Sequence, residues 1–360
     1  MEQYSSSSRA PDDSHLSPRP SEELRQSDDE SIRRPTRVIP KGTWVGSHLE
    51  IVCRLPQTGG EKTYVARDHQ NRGESVLLQL LPLFRARSGF PRESLIQQVA
   101  RVRRLKSPGL LPVRDLILDP EQILVSDYME GLSLARLLGG PMSEEMAPSG
   151  MPVPKAIELV GRLATVIDFL HSQSTFHGDL RAESILVCRT RSGDLPKIMD
   201  LALSGPGLTT NPDFDGQMCL HPCRAPEWLR GDPVGCPADI YGLAALSYWM
   251  ISGRPPFEGP YLVEKILGQL AAPIVRIPHA ANQVLLKGLE RVPGERYPSA
   301  SLFSQDLARA LQGLLPNPSG VEIEGLRGQP SWMNSLQQTF WSLALFLIGF
   351  LGLLYLFRYF

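Results

Sequence analysis

The pattern of apolar residues changes along the chain from short runs to longer helical stretches. Five short apolar runs separated by turn residues predict strands at 48–55, 62–68, 75–81, 111–118 and 122–128. Two later stretches, 154–171 and 239–252, carry apolar residues at helical spacing. Strands followed by helices predict an α+β fold, in which a small antiparallel sheet lobe packs on a larger helical lobe.

The two ends of the chain differ from this central segment. Residues 1–38 are rich in Ser, Pro and charged residues, so they predict a disordered tail, and no apolar run follows Met1 to indicate a signal peptide. Residues 340–357 read FWSLALFLIGFLGLLYLF, about one bilayer core long as a helix. Trp341, Tyr355 and Arg358 lie near its ends, as interfacial anchors do. We expect a linker at 316–336 and a single transmembrane helix at 337–357; a buried core or amphipathic helix is the alternative.

Composition narrows the class of protein. Hydrophobic residues make up 42% and charged residues 21% of the 360 positions, so the central segment can bury a sizeable core. The net charge of -1 lacks the basic excess of a nucleic-acid-binding protein. The five scattered cysteines, without a secretion signal, fit a reducing compartment better than a disulfide framework. We therefore expect a cytoplasmic domain held at a membrane by its C-terminal helix, with no nucleic-acid partner.

Three motifs carry the chemistry. Residues 177–186 read HGDLRAESIL, residues 197–202 read KIMDLA and residues 224–227 read RAPE. In this order they resemble the catalytic loop, the metal-binding motif and the A-P-E motif of the eukaryotic-like (Hanks-type) bacterial serine/threonine protein kinases. The resemblance covers about residues 42–315 and includes a hinge-like VSDYMEG at 125–131. It implies an N-lobe at 42–131 and a C-lobe at 132–315, and an ion pair between Glu227 and Arg296.

The resemblance also assigns roles to single residues. Asp179 matches the aspartate that accepts the proton of the acceptor hydroxyl, and Arg181 stands where the family has a loop lysine. Asp200 matches the aspartate that holds magnesium. Ser184 replaces the asparagine that binds the second magnesium, and its hydroxyl is a weaker ligand. The catalytic and metal carboxylates are therefore kept, and one metal position is weakened.

The expected nucleotide site departs further from the family. Gln79 stands where the family has the lysine that contacts the ATP phosphates, and Glu93 matches the helix glutamate that pairs with that lysine. Pro56 and Glu61 fall at positions of the glycine-rich loop, where a rigid ring and a negative charge both oppose phosphate binding. Lys62 could reach the phosphates instead, as a relocated lysine does in the with-no-lysine kinases, although it lies one residue beyond that position.

Two functions are compatible with these motifs. The first is a membrane-tethered pseudokinase, or a weakened kinase, that binds signalling partners or acts as a scaffold and needs no cofactor. The second is an active serine/threonine kinase that uses ATP and Mg²⁺ in an unconventional way and phosphorylates a protein substrate.

A group of cysteine and histidine residues raises one further alternative. Cys219, His221 and Cys223, with Cys236 nearby, are residue types that bind zinc. Their spacing matches no standard zinc finger, so small buried thiols are the favoured interpretation.

Overall fold

The computed structural model describes residues 38–55, 62–81, 92–118, 122–139, 150–191, 193–201 and 221–314. Over these residues the chain forms two lobes, one built on an antiparallel sheet and one on helices. The expected tail before residue 38, residues 56–61 and the apolar run 340–357 lie outside the described residues. Among the helices that are described, none is long and apolar enough to cross a bilayer.

The N-terminal lobe is a six-stranded antiparallel sheet in the order β1-β2-β3-β4-β6-β5. Its strands are β1 (Trp44–Val45), β2 (Leu49–Arg54), β3 (Lys62–Asp68), β4 (Glu74–Leu80), β5 (Val113–Ile117) and β6 (Ile123–Asp127). β4 lies between β3 and β6, and its residues from Val76 to Leu80 are all buried. Burial of both faces explains why the residues from Val76 to Leu80 are apolar with one exception. Gln79 is the polar exception, at 2% exposure.

All five strands predicted from the sequence are present. β3 keeps its predicted bounds, and the ends of the other four shift by one to two residues; the start of β5 shows why. Pro112 has no backbone N–H to donate to a neighbouring strand, so the ladder begins at Val113 rather than at Leu111.

The first helix, α1 (Arg92–Arg104), packs against β5 of the sheet. Leu95, Val99 and Val102 are buried along one face, at the spacing of one stripe on a helix. After α1 the chain forms β5 and β6 of the first sheet. It then contributes to a small second sheet of β7 (Leu132–Ser133), β8 (Ile185–Thr190) and β9 (Gly193–Ile198). The 177–186 motif leads into β8, and the 197–202 motif begins at the end of β9. Ile198 bridges Leu110, so this end of the second sheet lies beside the N-terminal lobe.

Helices build the C-terminal lobe. They are α2 (Leu134–Leu137), α3 (Val153–Ser172), α4 (Pro226–Arg230), α5 (Cys236–Ser252), α6 (Leu262–Gly268), α7 (His279–Gly288) and α8 (Ala300–Leu311). The two helices predicted at 154–171 and 239–252 correspond to α3 and α5 and are confirmed.

α5 is the central helix of this lobe. It contacts α3, α7 and α8, and it is apolar around most of its circumference because it is surrounded. Pro237 lies in its first turn, and Gly253 ends it with a φ of 82°, a left-handed conformation that glycine adopts without strain. Gly242 lets α5 approach the 177–186 segment closely, since a Cβ there would lie 2.9 Å from the Leu180 Cβ.

Candidate active site

A buried aspartate on α5 fixes the backbone of the loop 177–184. The Asp239 carboxylate accepts hydrogen bonds from the backbone N–H groups of His177 (2.9 Å) and Gly178 (2.6 Å), and His171 Nε2 lies 2.9 Å from it. Gly178 has a φ of 80°, which a glycine can hold without strain. His177 Nε2 donates in turn to the Met199 carbonyl at 2.9 Å. The loop is thus tied both to the core helix and to the segment that leads to Asp200.

Asp179, at the tip of this loop, is held by two side chains from the segment before α4. Arg224 donates from Nε to Oδ1 and from Nη2 to Oδ2, each at 3.0 Å. His221 Nε2 lies 2.7 Å from Oδ1. The two parallel bonds from one guanidinium form the bidentate arrangement that gives the strongest arginine–carboxylate pairs. Both oxygens of the predicted catalytic carboxylate are therefore engaged.

The charges around Asp179 fix the protonation of the cluster. Burial raises the pKa of Asp179, but the Arg224 cation and the bond from His221 outweigh it and hold that pKa well below its usual range. Burial lowers the pKa of His221 to about 4, despite the attraction of Asp179. At neutral pH His221 is uncharged, and Nε2 must carry its proton because ionised Asp179 can only accept.

The predicted metal ligand, Asp200, is also engaged on both oxygens. It follows β9 with a φ of 61°, a left-handed conformation that is uncommon for a residue with a side chain. The Gln79 amide donates to Oδ1, and Arg181 Nη2 donates to Oδ2 at 3.3 Å. Such backbone conformations concentrate at functional sites, where the surroundings hold them in place.

Gln79 forms this contact because of its place in the sheet. It pairs with Thr63 of β3 on one side and with Leu124 of β6 on the other, near the end of the central strand. Its amide therefore links the N-terminal lobe directly to Asp200 in the C-terminal lobe. The residue predicted to replace the family lysine is thus a neutral amide donor.

The residues predicted to hold magnesium do not fit that ion as they are arranged. Magnesium takes near-octahedral oxygen ligands, often with one or two carboxylates. The Ser184 hydroxyl is buried, donates to the Arg181 carbonyl at 2.9 Å and accepts from the Arg181 N–H at 3.1 Å, so it closes a turn within the loop. The Asp200 carboxylate faces the Gln79 amide and the Arg181 guanidinium.

Of the two other predicted nucleotide-site residues, Glu93 lies outside this cluster. Glu93 is in the first turn of α1 with an exposed side chain, so the structure does not bring it together with buried Gln79. Half-buried Gln98 lies on the same face of α1 as Leu95 and Val99, which pack inward. The backbone of Lys62 pairs with Leu80 at the start of β3. Its predicted role as a relocated lysine stays a prediction.

Apolar side chains from both lobes meet in the cleft beside these carboxylates. Leu77 on β4 is buried in one cluster with Leu111 and Met199, which precede β5 and Asp200 respectively. The side chains packed against this cluster are Leu55, Met129 and Leu186. The two lobes are therefore joined in the cleft by direct apolar contact as well as by the Gln79–Asp200 bond.

Known proteins are similar to this chain in sequence and in fold. The protein kinase domain family matches residues 62–315, which is most of the chain. The chain belongs to the protein kinase family. This confirms the family that the three motifs indicated.

Its relatives in that family are bacterial serine/threonine protein kinases. The chain is 28% identical over 281 residues to the kinase PkaA of Streptomyces coelicolor, covering 75% of this chain and 49% of the relative. It is 29% identical over 289 residues to the kinase PknD of Mycobacterium tuberculosis, covering 75% of this chain and 40% of the relative. The chain thus spans less than half the length of these two curated relatives.

A solved structure supports the same fold. The kinase domain of Mycobacterium tuberculosis PknI, in a crystal structure of a double mutant, superposes with a TM-score of 0.60 at 18% identity. The match covers 76% of this chain and 99% of that one. At this level of identity, the superposition shows that the two proteins share the architecture of two lobes.

The kinase-family ion pair predicted between the A-P-E glutamate and a distant arginine is confirmed. Arg296 donates to both oxygens of Glu227 at 2.7 Å, and both side chains are buried. Arg296 also donates to the backbone carbonyls of Glu290 and Pro237, so each side of the pair is well satisfied. The pair ties α4 to the turn before α8.

The sequence alone assigns neither Arg224 nor His221 to Asp179. It presents Arg224 as part of the RAPE motif and His221 beside cysteines that are favoured as buried thiols. In the structure Cys223 is a buried free thiol whose pKa is raised well above its usual range, first by burial, while Cys219 lies outside the described residues. A cation directly before the A-P-E motif was the available signal, but its target on the loop 177–184 depends on tertiary contact.

Proposed function

We propose that this chain is a membrane-tethered signalling protein of the protein kinase family that serves as a binding or scaffold module. Its site is arranged so that it does not transfer phosphate from ATP. The observation that carries this proposal is the engagement of Asp200. Its two oxygens accept from Gln79 and Arg181.

The chemistry of phosphoryl transfer explains why this matters. Kinases of this family act on ATP with magnesium, which the metal-motif aspartate holds against the phosphates, while a lysine on the central sheet neutralises phosphate charge. Replacing a preorganised cationic partner by a neutral group costs about a hundredfold to a thousandfold in rate. Gln79 makes that replacement, and its amide also competes with a metal for Asp200.

The alternative is an active serine/threonine kinase with unconventional ATP handling. The retention of Asp179, Asp200 and Arg181 favours it, because these are the residues to which the family gives the chemical roles. In that case Lys62 or Arg181 would supply the missing positive charge, and a protein hydroxyl would be the substrate.

The site and the ends of the chain suggest how the module is used. The apolar run at 340–357 supports attachment to a membrane through a single helix at 337–357, with the kinase-like domain on the cytoplasmic side. A domain of this kind presents its surface to protein partners that move along or assemble at the membrane. The proposed partners are therefore signalling proteins, with no nucleic acid among them.

Transfer of radiolabelled γ-phosphate tests the proposal. We expect the full chain, incubated with ATP, Mg²⁺ and a basic acceptor protein, to transfer no more label than its Asp179→Asn variant does. A wild-type rate clearly above that of the variant would overturn the proposal and establish the kinase alternative.

A further inference from the structure

Asp179 lies on the side of the site that would receive the acceptor hydroxyl, and Arg224 restrains it there. Arg224 is 6% exposed, and its guanidinium lies 3.8 Å from the centre of the Trp228 ring while it donates both bonds to Asp179. Its position is therefore set from two sides, by an aromatic face and by a carboxylate. This contact does not involve Gln79 or Asp200, so it is independent of the nucleotide side.

The Arg224–Asp179 pair differs from the structural ion pair of the same lobe. The side chains of Glu227 and Arg296 are at most 3% exposed, whereas the Asp179 side chain is 20% exposed. The loop that carries Asp179 is already fixed by Asp239, which accepts two of its backbone N–H groups. Arg224 is thus not needed to place the loop.

The Arg224 guanidinium lies across both oxygens of Asp179. A general base must lie within hydrogen-bonding reach of the proton that it takes, with a lone pair directed at it. Here Oδ1 accepts from Arg224 and His221, and Oδ2 accepts from Arg224. An acceptor hydroxyl therefore competes with the guanidinium for these oxygens, and Asp179 becomes a fully available base when the guanidinium withdraws.

We propose that Arg224 is an autoinhibitory latch, which closes Asp179 to an acceptor hydroxyl and opens by releasing the carboxylate while it stays stacked on Trp228. The ring provides the guanidinium with a favourable contact in the open state, since arginine binds aromatic faces when its donors are turned elsewhere. The latch goes beyond the proposed function because it controls access to Asp179 whether or not nucleotide binds.

Chemical labelling of carboxylates tests the latch without any nucleotide. The full chain is treated with a water-soluble carbodiimide and glycine ethyl ester, and labelling of Asp179 is measured by mass spectrometry against labelling of exposed Glu93 as the internal reference. We expect weak labelling in the wild type and about a tenfold increase in Arg224→Gln, the effect of losing a charge-assisted hydrogen bond on an equilibrium. Arg224→Lys is the matched variant, because it keeps the charge and loses the fork, and it should fall between the two.

The outcomes are separable. Thermal unfolding first identifies which variants remain folded; if Arg224→Gln does not, Arg224→Lys carries the test. Equal labelling of Asp179 in the wild type and a folded variant would overturn the latch. Phosphate transfer by the wild type would instead overturn the proposed function, and it is measured in a separate assay.

A second measurement asks whether the latch limits chemistry. In a Gln79→Lys chain, which regains the family lysine, Arg224→Gln should raise transfer of γ-phosphate to a basic acceptor protein about tenfold, and Arg224→Lys less. If Arg224→Gln lowers transfer in that chain, Arg224 assists the reaction and the latch is wrong. If neither chain transfers phosphate, the labelling result alone decides.

Discussion

At the scale of residues, the cleft is governed by what happens to ionisable groups when they are buried together. His221 is buried beside Asp179 and Arg224, and the cost of placing another positive charge there keeps it neutral. In the unfolded chain the same imidazole is solvated and protonates near its ordinary pKa. This difference between the two states links protonation of His221 to folding.

The pH dependence of stability should therefore depend on His221. As pH falls from about 6.5 towards 4, the unfolded state takes up the proton first, so the free energy of unfolding falls. By pH 5 the loss is on the order of 2 kcal/mol, and His221→Gln should lack it. Urea unfolding of both chains at pH 7.5 and pH 5 measures it. Equal losses in the two chains would show that His221 is not held neutral by the fold.

At the level of helices and loops, buried contacts between residues far apart in sequence place the short segments that carry the site. Asp239 on α5 holds the loop 177–184, and the Glu227–Arg296 pair ties α4 to the turn that precedes α8. Because α4 begins two residues after Arg224, the position of that arginine depends on the Glu227–Arg296 pair. A buried pair of this kind is costly to break, since the remaining charge loses its partner.

Substitution of one member of the buried pair should be strongly destabilising. Glu227→Gln leaves the Arg296 charge buried and is expected to lower the free energy of unfolding by about 3–5 kcal/mol. Glu258→Gln is the control, because the Arg254–Glu258 pair is 3.7 Å apart and both side chains are more than half exposed. It should cost less than about 1 kcal/mol. Similar losses of unfolding free energy for both variants, measured in urea, would show that the Glu227–Arg296 pair does not hold α4 in place.

Prediction from sequence worked well for elements and less well for contacts between them. The apolar runs identified β2 to β6, and helical spacing identified α3 and α5, because local pattern follows burial. The positions of Asp179, Asp200 and Gln79 came from motifs. The Gln79–Asp200 bond joins residues 121 positions apart and the Arg224–Asp179 pair joins residues 45 apart, so neither follows from local pattern.

The inward face of α1 illustrates the same limit within one helix. Glu93 matches the family glutamate in the sequence, while the buried stripe of α1 runs through Leu95, Val99 and Val102 and places Gln98 on its inner side. Which face of a helix points inward depends on the sheet that it packs against. That information becomes available only with the fold.

At the scale of the whole molecule, the two lobes are joined across the cleft by the chain's own side chains. The Gln79 amide reaches Asp200, and Leu77 of the N-terminal lobe packs on Met199 of the C-terminal lobe. A nucleotide that binds between the lobes has to separate these contacts, and Gln79 is the residue predicted at the position of the family lysine. We therefore propose that the wild-type chain does not bind ATP with magnesium.

Thermal unfolding of the full chain with about 1 mM ATP and Mg²⁺ tests for this binding, because a ligand that binds only the folded state raises its stability. We predict no shift of the unfolding midpoint for the wild type, and a rise of about 2–4 °C for Gln79→Lys, in which the cationic partner is restored. A rise in the wild type that Asp200→Asn abolishes would overturn the proposal, since it would mean that Asp200 is free to hold magnesium against a bound nucleotide.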